Sequence, residues 1–555
     1  MTASGADRLL NVADALGRAA ERAPNRIAVV YPSGRSGYRS ITFDALHADA
    51  ERVAVALHRL GIGRDARVLL LVPPGADMLA LAFGILRAGA VLVLIDPGMG
   101  RRNLLHCIAE VGPDALVAVP IVHALSRVYR APFARVRHRV TVGHRWFWGG
   151  PTLAELRALD GTLPPGSTTA EDVAAIAYTS GSTGIPKGVV YRHGMLEAQL
   201  ASLERLIEPA AGDVALSAFP PFGLLALAMG TTSVFPRMDV TRPANVDPRE
   251  ILSVVDRNRV TCAFGSPAVW HRLAEHCVPR ALRLPIRRVL MAGATAPPAL
   301  LARLTSVLPD DAVVQTPYGA TEAMPVTSIT ARDILADTAE RTRQGAGICV
   351  GRPLPGITLR IIAITDDSIA AWNDALVLPT GEIGEIAVRG AIVTTEYDRR
   401  PVETARAKIA DADGGIWHRM GDVGYVDEAG RVWFCGRKSH RVTTADRTLF
   451  TDCCEAIFNE HPDVFRSALV GIGPRARQRP VIVIEPRPGR MPRDHAAEAR
   501  VIAELLELGS RHDITKPIAD VLFHPAFPVD VRHNAKIGRE KLAPWAAKRL
   551  RASAS

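Results

Sequence analysis

Residues Tyr178–Val190 read YTSGSTGIPKGVV. Their first three residues end an apolar run, Val173–Ser180, that has the length and composition of a buried strand. The hydroxyl side chains and glycines of this loop can surround phosphate groups with O–H and backbone N–H donors, and Lys187 supplies a positive charge. The loop is not a Walker A loop, because Gly181 and Gly184 are only three residues apart and a glycine follows the lysine. The stretch therefore predicts a phosphate-binding loop of a different kind.

Short apolar runs alternate with amphipathic stretches on both sides of this loop. The predicted strands are Arg26–Tyr31, Arg67–Pro73, Ala90–Asp96, Asp114–Pro120, Val173–Ser180, Val214–Phe219, Val260–Ser266 and Arg287–Gly293. Between the early strands, Phe43–Leu60 and Ala76–Ala88 carry apolar residues at helical spacing. This alternation predicts an α/β fold with two successive parallel layers and helices on their faces.

The pattern changes after about residue 345. Short runs with glycine turns predict an antiparallel barrel or sheet up to Gly436. A smaller α+β segment follows, with predicted helices near Asp452–Glu460 and Asp494–Leu508 and a strand at Pro480–Pro486. We therefore expect an N-terminal domain, 1–436, whose barrel begins near 345, and a C-terminal domain, 437–555.

Composition excludes several classes of protein. The chain has 555 residues, of which 48% are hydrophobic and 22% charged, as in an ordinary globular protein of two or more domains. The net charge of +10 comes with scattered arginines and no nucleic-acid-binding motif, so no nucleic-acid partner is predicted, whereas attraction to anionic lipid or ATP is compatible. The seven cysteines form no CxxC pair, which predicts reduced thiols and no zinc site.

Neither the N-terminus nor the longest uncharged run predicts a membrane segment. The N-terminus carries charges where a signal peptide has its apolar core. The uncharged run Leu216–Pro236 contains Pro220, Pro221 and Gly223 near its start, so it predicts a core segment lining an apolar pocket rather than a span. These features predict a cytoplasmic protein without a transmembrane span.

Four further motifs follow the loop in order. They are MAGATAP at Met291–Pro297, QTPYGATE at Gln315–Glu322, HRMGDVGYVDEAGRVWFCGR at His418–Arg437 and HNAKIGREKL at His533–Leu542. With the loop, they resemble the signatures of the adenylate-forming superfamily, which contains acyl-CoA synthetases, luciferases and peptide-synthetase adenylation domains. The resemblance implies a large N-terminal domain of two α/β subdomains plus a small β-barrel, and a mobile α+β C-terminal domain.

The resemblance also implies ATP and Mg²⁺ as cofactors, an acyl-AMP product and a role for each motif residue. The phosphates would be held by Thr179, Ser180, Gly181, Ser182, Thr183, Gly184 and Lys187. The adenine would lie against Gly293, Ala294, Thr295, Gln315, Tyr318 and Gly319. Glu322, with Thr179, would bind the metal, and Thr321 would contact the α-phosphate. Asp422 and Arg437 would bind the ribose, and Lys536 would bridge the carboxylate and the α-phosphate.

Three departures from the acyl-CoA synthetases bear on the second half-reaction. The glycine that lines their pantetheine tunnel is absent, since its place falls near Asp446. The hinge position is Ser439, or Lys438 if the alignment slips by one residue. Gly223 stands after Phe222 where relatives often have a histidine, so we expect open space in the substrate pocket there. Transfer of the acyl group to CoA is therefore not predicted.

These departures, with Ile95–Leu105 and Pro528–Leu542, resemble the β-lactone synthetases of bacterial long-chain olefin biosynthesis. The resemblance implies a 2-alkyl-3-hydroxy fatty acid as substrate, whose own 3-hydroxyl attacks the acyl-AMP to give a β-lactone and AMP. It implies a small-molecule lipid substrate and a possible complex with a thiolase-like condensing enzyme, a ketone-reducing dehydrogenase and a β-lactone decarboxylase. A long-chain acyl-CoA ligase and a non-catalytic nucleotide- or lipid-binding relative stay open as alternatives. His193 and His418 are candidates for the base only because they lie near motifs.

Overall fold

The computed structural model describes residues 9–164, 166–179, 185–529 and 537–554, in which the apolar runs form strands. The strands are β1 (Ile27–Ser33), β2 (Gly37–Thr42), β3 (Arg67–Leu71), β4 (Val91–Ile95), β5 (Ala115–Ala118), β6 (His138–Thr141), β7 (Val173–Thr179), β8 (Lys187–Arg192), β9 (Val214–Ser217), β10 (Thr232–Val234), β11 (Cys262–Gly265), β12 (Arg288–Met291), β13 (Val313–Ala320), β14 (Ala323–Thr330), β15 (Ile348–Pro353), β16 (Thr358–Ile362), β17 (Gly384–Arg389), β18 (Lys408–Ala410), β19 (Ile416–Val426), β20 (Val432–Arg437), β21 (Val442–Thr443), β22 (Thr448–Leu449), β23 (Val464–Ile472), β24 (Arg479–Pro486) and β25 (Asp520–Phe523).

Helices cover both faces of the α/β sheets. They are α1 (Asp14–Arg22), α2 (Phe43–Arg59), α3 (Ala76–Arg87), α4 (Arg101–Val111), α5 (Pro120–Val128), α6 (Leu153–Arg157), α7 (His193–Ile207), α8 (Pro220–Ala228), α9 (Pro248–Asn258), α10 (Pro267–Cys277), α11 (Pro298–Thr305), α12 (Ala331–Asp333), α13 (Ala339–Arg343), α14 (Pro401–Ala407), α15 (Thr451–Phe458), α16 (His495–Ser510) and α17 (Arg539–Ala554). The predicted helices α2 and α3 begin at Phe43 and Ala76 as expected, and they pack on each other in one core.

The first sheet has the strand order β6-β5-β3-β4-β7-β8 and is parallel except for the last pair. Its strands are continuous apolar runs because helices bury both faces of a parallel sheet. The run Arg26–Tyr31 does not join the first sheet. Its strand β1 pairs in parallel with β10 of the second sheet. The later strand β7 instead pairs in parallel with β4 of the first sheet, so neither sheet is built from consecutive strands alone.

The second sheet contains parallel strands β1, β10, β9, β11, β12 and β13, with β2 antiparallel at its edge. It continues through antiparallel β14 into β15, β20, β19, β17 and β16. The antiparallel region predicted after residue 345 is therefore present and joined to the parallel sheet. This continuity places the turn after β13 directly beside β19 and β20.

The C-terminal part has its own sheet, β23-β24-β25, and its own core. The two helices and the strand predicted there correspond to α15, α16 and β24. Across the described residues, no helix is long and apolar enough to cross a membrane, and Leu216–Pro236 folds as the end of β9, then α8 and β10. All seven cysteines are buried and free of disulfides. The boundary at residue 436 stays a prediction.

Candidate functional site

The predicted nucleotide residues gather where the parallel strands of the second sheet end. Gly293, Ala294 and Thr295 form the loop directly after β12, and Gly293 has a positive φ of 97° that suits glycine. Gln315, Tyr318 and Gly319 lie on the neighbouring strand β13. A crevice at the carboxyl ends of parallel strands is the usual ligand site of such sheets.

The turn between β13 and β14 is tight and carries Thr321 and Glu322. A Cβ on Gly319 would lie 2.6 Å from the carbonyl oxygen of Ala323, so the two strands can approach only with glycine there. The side chain of Gln315 is fixed at the other end of the hairpin, because Oε1 accepts a hydrogen bond of 2.8 Å from Ser328 Oγ. The hairpin thus holds its polar groups in defined positions.

Asp422 forms the centre of a polar cluster with Tyr318 and Arg437. Asp422 and Arg437 stand opposite each other in register on β19 and β20. Tyr318 Oη donates a hydrogen bond of 2.7 Å to Asp422 Oδ2, and Arg437 Nη1 lies 2.7 Å from Oδ1. The Arg437 contact is an ion pair without hydrogen-bond alignment, so within the described residues Oδ1 accepts no hydrogen bond.

The electrostatics of this cluster suit an acceptor for ribose hydroxyls. Asp422 is only 2% exposed, and its burial raises the pKa of the carboxyl while Arg437 opposes the rise. The nearby Asp422 charge raises the pKa of Arg437, and burial raises that of Tyr318. A buried carboxylate oxygen without a hydrogen-bond donor is costly unless a ligand supplies one. Two sugar hydroxyls are donors of that kind.

Glu322, Thr321 and Lys187 come together around two tyrosines. Tyr397 Oη donates a hydrogen bond of 2.6 Å to Glu322 Oε1, and Lys187 Nζ lies 4.7 Å from the centre of the Tyr397 ring. Tyr191 Oη donates a short hydrogen bond to the carbonyl oxygen of Thr321. Three of the four predicted catalytic residues are therefore held near one another by Tyr191 and Tyr397.

Lys187 also connects this cluster to the glycine-rich loop. It is the first residue of β8 and pairs in register with Thr179, the last residue of β7. Gly188 is required beside it, because a Cβ there would lie 2.8 Å from the ring of Tyr178. The predicted phosphate-binding residues Ser180, Gly181, Ser182, Thr183 and Gly184, and the predicted catalytic Lys536, lie outside the described residues.

A buried lysine supports Glu322 from behind. The backbone N–H and Oγ1 of Thr394 donate hydrogen bonds of 2.9 Å and 3.1 Å to the carbonyl oxygen of Glu322. Lys408 Nζ in turn donates to the carbonyl oxygen of Thr394 and, at 3.2 Å, to its Oγ1. Lys408 is only 7% exposed, and burial lowers its pKa to about 7, although the charge of Glu322 opposes the shift.

The two histidine candidates have different surroundings. His418 pairs with Lys408 across β18 and β19, and its Nδ1 lies 3.2 Å from the carbonyl oxygen of Ala407. Burial and the charges of Lys408 and Lys187 hold the pKa of His418 well below its usual range, so the ring is neutral. His193 instead accepts a hydrogen bond of 3.1 Å from the backbone N–H of Val12, and burial lowers its pKa to about 4. His193 therefore serves the packing between α7 and the N-terminal segment.

A cavity of about 200 Å³ lies between α7, α8 and the second sheet, close to the amino ends of β9, β11, β12 and β13, and its lining includes the charged residues Arg205, Glu208 and Arg288. Phe222, Ala226, Met229, Leu290 and Gln315 are among its lining residues. Phe222 stacks on Phe264 with ring centres 4.6 Å apart, which fixes this wall. The predicted pocket residue Phe222 is thus part of a cavity that can hold apolar groups.

The open space expected at Gly223 is absent. A Cβ on Gly223 would lie 2.5 Å from Cζ of Phe235 and 3.2 Å from Oγ of Ser233, and both of these residues are buried. Gly223 is not among the residues that line the cavity under Phe222. The missing side chain is therefore filled from within the protein by the Phe235 ring, which corrects the expectation.

The segment that follows Arg437 is held to the antiparallel region. Lys438 Nζ lies 2.9 Å from Oε1 of the buried Glu385 and donates a hydrogen bond of 3.0 Å to the carbonyl oxygen of Thr365. Ser439, the next residue, is the alternative hinge position. Asp446 is exposed in the turn between β21 and β22. Of the two hinge candidates, Lys438 is therefore the one with ionic anchors.

Comparison with known proteins gives a consistent result along the chain. Residues 16–398 match the model of the family described as AMP-binding enzyme. A protein named olefin beta-lactone synthetase from Xanthomonas campestris pv. campestris is 45% identical, over 97% of this chain and 98% of the relative. A protein of the same name from Stenotrophomonas maltophilia is 44% identical, over 98% of this chain and 99% of the relative.

A solved structure resembles the whole fold. The amide bond synthetase from Marinactinospora thermotolerans superposes with a TM-score of 0.76, over 96% of this chain and 99% of that chain. The two sequences are 24% identical, so this likeness concerns the fold.

Proposed function

Because this chain belongs to the AMP-binding enzyme family, we propose that it activates a 2-alkyl-3-hydroxy fatty acid with ATP and closes the product to a β-lactone. The observation that carries the proposal is the similarity, at 44–45% identity over nearly the whole chain, to two proteins named olefin beta-lactone synthetase. The first step gives an acyl-AMP and pyrophosphate. The second step gives the lactone and AMP.

The first step needs positive charge and hydrogen-bond donors around the α-phosphate of ATP. A carboxylate oxygen attacks the phosphorus while the bond to pyrophosphate breaks, so negative charge accumulates on both sides. Lys187 would neutralise part of the charge on the departing phosphates, and Thr321 would contact the α-phosphate. Asp422 would accept the ribose hydroxyls, as its buried Oδ1 supports. These positions would hold the reacting atoms in line.

Glu322 would bind Mg²⁺ together with the phosphates. Magnesium in nucleotide sites is commonly bound by one or two carboxylates and by phosphate oxygens. The hydrogen bond from Tyr397 fixes one carboxylate oxygen of Glu322, and Thr394 fixes its backbone. When bound, the metal supplies charge neutralisation at the phosphates. The chain's own contribution is to hold the Glu322 carboxylate in place.

The second step needs no external acceptor. The 3-hydroxyl oxygen forms a bond to the carbonyl carbon, the bond between that carbon and the AMP oxygen breaks with its electron pair left on the AMP phosphate, and the hydroxyl proton passes to that phosphate or to water. Nucleophile and electrophile belong to one molecule, so proximity is supplied by the substrate itself, and the site must hold the conformer that brings them together. The apolar walls of the cavity beside Phe222, between α8 and the second sheet, support binding of an alkyl group of the substrate.

A long-chain acyl-CoA ligase is the second candidate, since it would use the same ATP residues. The test is to incubate the purified protein with ATP, Mg²⁺ and the 2-alkyl-3-hydroxy acid, with and without CoA, and to identify the product by NMR. A β-lactone with stoichiometric AMP in the absence of CoA is the expected result. An acyl-CoA formed only when CoA is present would overturn lactone formation and leave adenylation intact. A Glu322→Gln variant, expected to form neither product, controls for contaminating activity.

A further inference from the structure

The two fully buried side chains of helix α5 are polar and three of its exposed side chains are apolar, while Val122 is partly buried against the core. Its inward side chains are His123 and Ser126, which are 0% and 1% exposed. Its outward side chains Ile121, Leu125 and Val128 are 57%, 46% and 73% exposed. A helix on the surface of a globular protein normally buries its apolar face and exposes its polar one. Contact with water alone therefore does not explain the three exposed apolar side chains of α5.

The inward polar side chains have structural partners. His123 Nε2 lies 3.0 Å from the carbonyl oxygen of Val140 on β6, and Ser126 Oγ accepts a hydrogen bond of 2.7 Å from Arg139. Burial lowers the pKa of His123, so the ring is neutral. These contacts attach α5 to β6, the edge strand of the first sheet as described. The exposed apolar face is therefore fixed in its orientation.

Two aromatic side chains extend this face. Trp146 and Phe147, in the loop after β6, are 53% and 74% exposed. The next residue, Trp148, is buried, stacks on His123 with ring centres 5.2 Å apart, and donates a hydrogen bond of 2.8 Å from Nε1 to Thr141 Oγ1. We call Ile121, Leu125, Val128, Trp146 and Phe147 the α5 patch.

The chain segment that carries the α5 patch contains charges of a single sign, and one of its arginines, Arg145, pairs with Glu155 at 3.2 Å. Between residues 115 and 150 the sequence contains no Asp or Glu, and it contains Arg127, Arg130, Arg135, Arg137, Arg139 and Arg145. The segment 115–150 therefore has a net charge of +6, while the whole chain has a net charge of +10. The arginines, which were expected to be scattered, are concentrated here. All of them except Arg139 are exposed. Five exposed apolar side chains that lie close in sequence to exposed arginines are an unusual combination on a surface that contacts water alone.

We propose that the α5 patch binds the enzyme to the surface of an anionic lipid bilayer. Aliphatic and aromatic side chains on one face would enter the interface, where tryptophan is favoured because its ring is apolar and its N–H is polar. The surrounding arginines would contact lipid phosphates. The absence of any acidic residue across 36 consecutive positions favours a uniformly anionic surface over a protein partner of mixed charge. The proposal does not depend on which acid the nucleotide site activates.

The test measures co-sedimentation of the full chain with vesicles. Vesicles of phosphatidylcholine alone are compared with vesicles containing about one third phosphatidylglycerol. We expect binding to the anionic vesicles only, with marked weakening at about 0.5 M salt, where charges are screened within a few ångströms. The double variant Val128→Ser/Phe147→Ser should bind about tenfold more weakly, because it removes two side chains that enter the interface.

Matched variants separate the α5 patch from general surface effects. Val402→Ser/Phe465→Ser removes one valine and one phenylalanine that are 60% and 51% exposed elsewhere, and it should bind like the wild type. Arg130→Glu/Arg137→Glu should abolish binding to anionic vesicles, whereas Arg35→Glu/Arg39→Glu should weaken it much less. Pyrophosphate release with detergent-dispersed acid should be unchanged in the Val128→Ser/Phe147→Ser variant, which shows that it is folded.

Three outcomes would overturn the proposal. Equal binding of the wild type and the Val128→Ser/Phe147→Ser variant would show that other residues contact the lipid. Equal binding to neutral and anionic vesicles would remove the role of the arginines. Sedimentation velocity that shows self-association of the wild type, lost in the same variant and without vesicle binding, would identify a second copy of the chain as the occupant.

Discussion

Tyr397 donates a hydrogen bond of 2.6 Å from its phenol to Oε1 of Glu322, although 75 residues separate the two in sequence. The contact fixes one oxygen of the carboxylate, because the phenol O–H donates to it. The same tyrosine ring faces Lys187 Nζ at 4.7 Å. One side chain thus orders both the proposed metal ligand and the proposed phosphate-binding cation.

Tyr397→Phe should lower kcat for pyrophosphate release about tenfold and raise the Mg²⁺ concentration required for half-maximal rate. The expected size follows from the typical energy of a hydrogen bond to a charged group, about 1.5–3 kcal/mol. The measurement is pyrophosphate release as a function of Mg²⁺. Tyr38→Phe is the control, because Tyr38, on the edge strand β2 of the second sheet, donates an equivalent hydrogen bond of 2.6 Å to Glu250 of α9. Equal losses in both variants would contradict a specific role for Tyr397.

Asp422→Asn should raise the KM for ATP at least about tenfold with little change in the KM for the acid. The amide keeps the hydrogen bond from Tyr318 but loses the charge that pairs with Arg437 and one acceptor for the ribose. Initial rates with each substrate varied in turn measure the two constants. Asp427→Asn is the control, since Asp427 also pairs with an arginine, Arg431 at 2.9 Å, in the turn at the far end of β19. A parallel rise in both KM values would show disruption of the fold.

The opposed positions of Asp422 and Arg437 could be predicted because they follow from local rules. They lie on either side of the turn that contains Gly430, and a hairpin brings the strands on its two sides into antiparallel register. Gln315 and Tyr318 are assigned to the adenine through their motif alone, since the strand β13 that carries them is not among the predicted strands. The relative positions of two residues that flank a predicted hairpin turn follow from the pairing of its strands.

Tyr397, Thr394 and Lys408 could not be assigned from sequence, because their roles arise from long-range contacts. Lys408 lies in a short segment, Lys408–Ala410, without a motif, and it reaches Thr394 only when β18 pairs with β19. The absence of a side chain at Gly223 was visible in the sequence, but the ring that fills the space comes from Phe235, twelve residues later. Sequence shows which atoms are missing at a position, and packing alone shows what takes their place.

Gly223→Ala should therefore destabilise the protein instead of altering substrate choice. The new methyl group would meet Phe235 Cζ at 2.5 Å, and overpacking of this kind costs about 1–3 kcal/mol of unfolding free energy. Denaturant unfolding measures the change, and Gly149→Ala is the control because a Cβ at Gly149 meets no atom within 4 Å.

The double variant Gly223→Ala/Phe235→Leu should recover part of the loss, since the two side chains share one space. Straight and branched acids should be affected alike in Gly223→Ala. If Gly223→Ala instead lost activity on branched acids only, at unchanged stability, Gly223 would be identified as a residue of the substrate pocket.

Lys408 should make stability depend on pH in the neutral to alkaline range. Burial lowers its pKa to about 7 in the folded protein, from 10.5 in the unfolded chain, so between these values the unfolded chain binds the proton more tightly. Unfolding then takes up a proton, and the free energy of unfolding rises as pH increases. Lys408→Met removes the amine that takes up this proton. The wild type should therefore gain about 1–2 kcal/mol relative to Lys408→Met between about pH 7 and pH 9, measured by denaturant unfolding.

The exposed residue Lys516 provides the matched control, and the difference between the wild type and Lys516→Met should stay constant over the same range. Activity gives an independent readout of the Lys408 position. Because Lys408 holds Thr394 and Thr394 holds the backbone of Glu322, Lys408→Met should also raise the Mg²⁺ requirement for pyrophosphate release, as Tyr397→Phe does. A flat stability difference would mean that the amine stays charged through this range. An unchanged Mg²⁺ requirement would limit Lys408 to a role in packing.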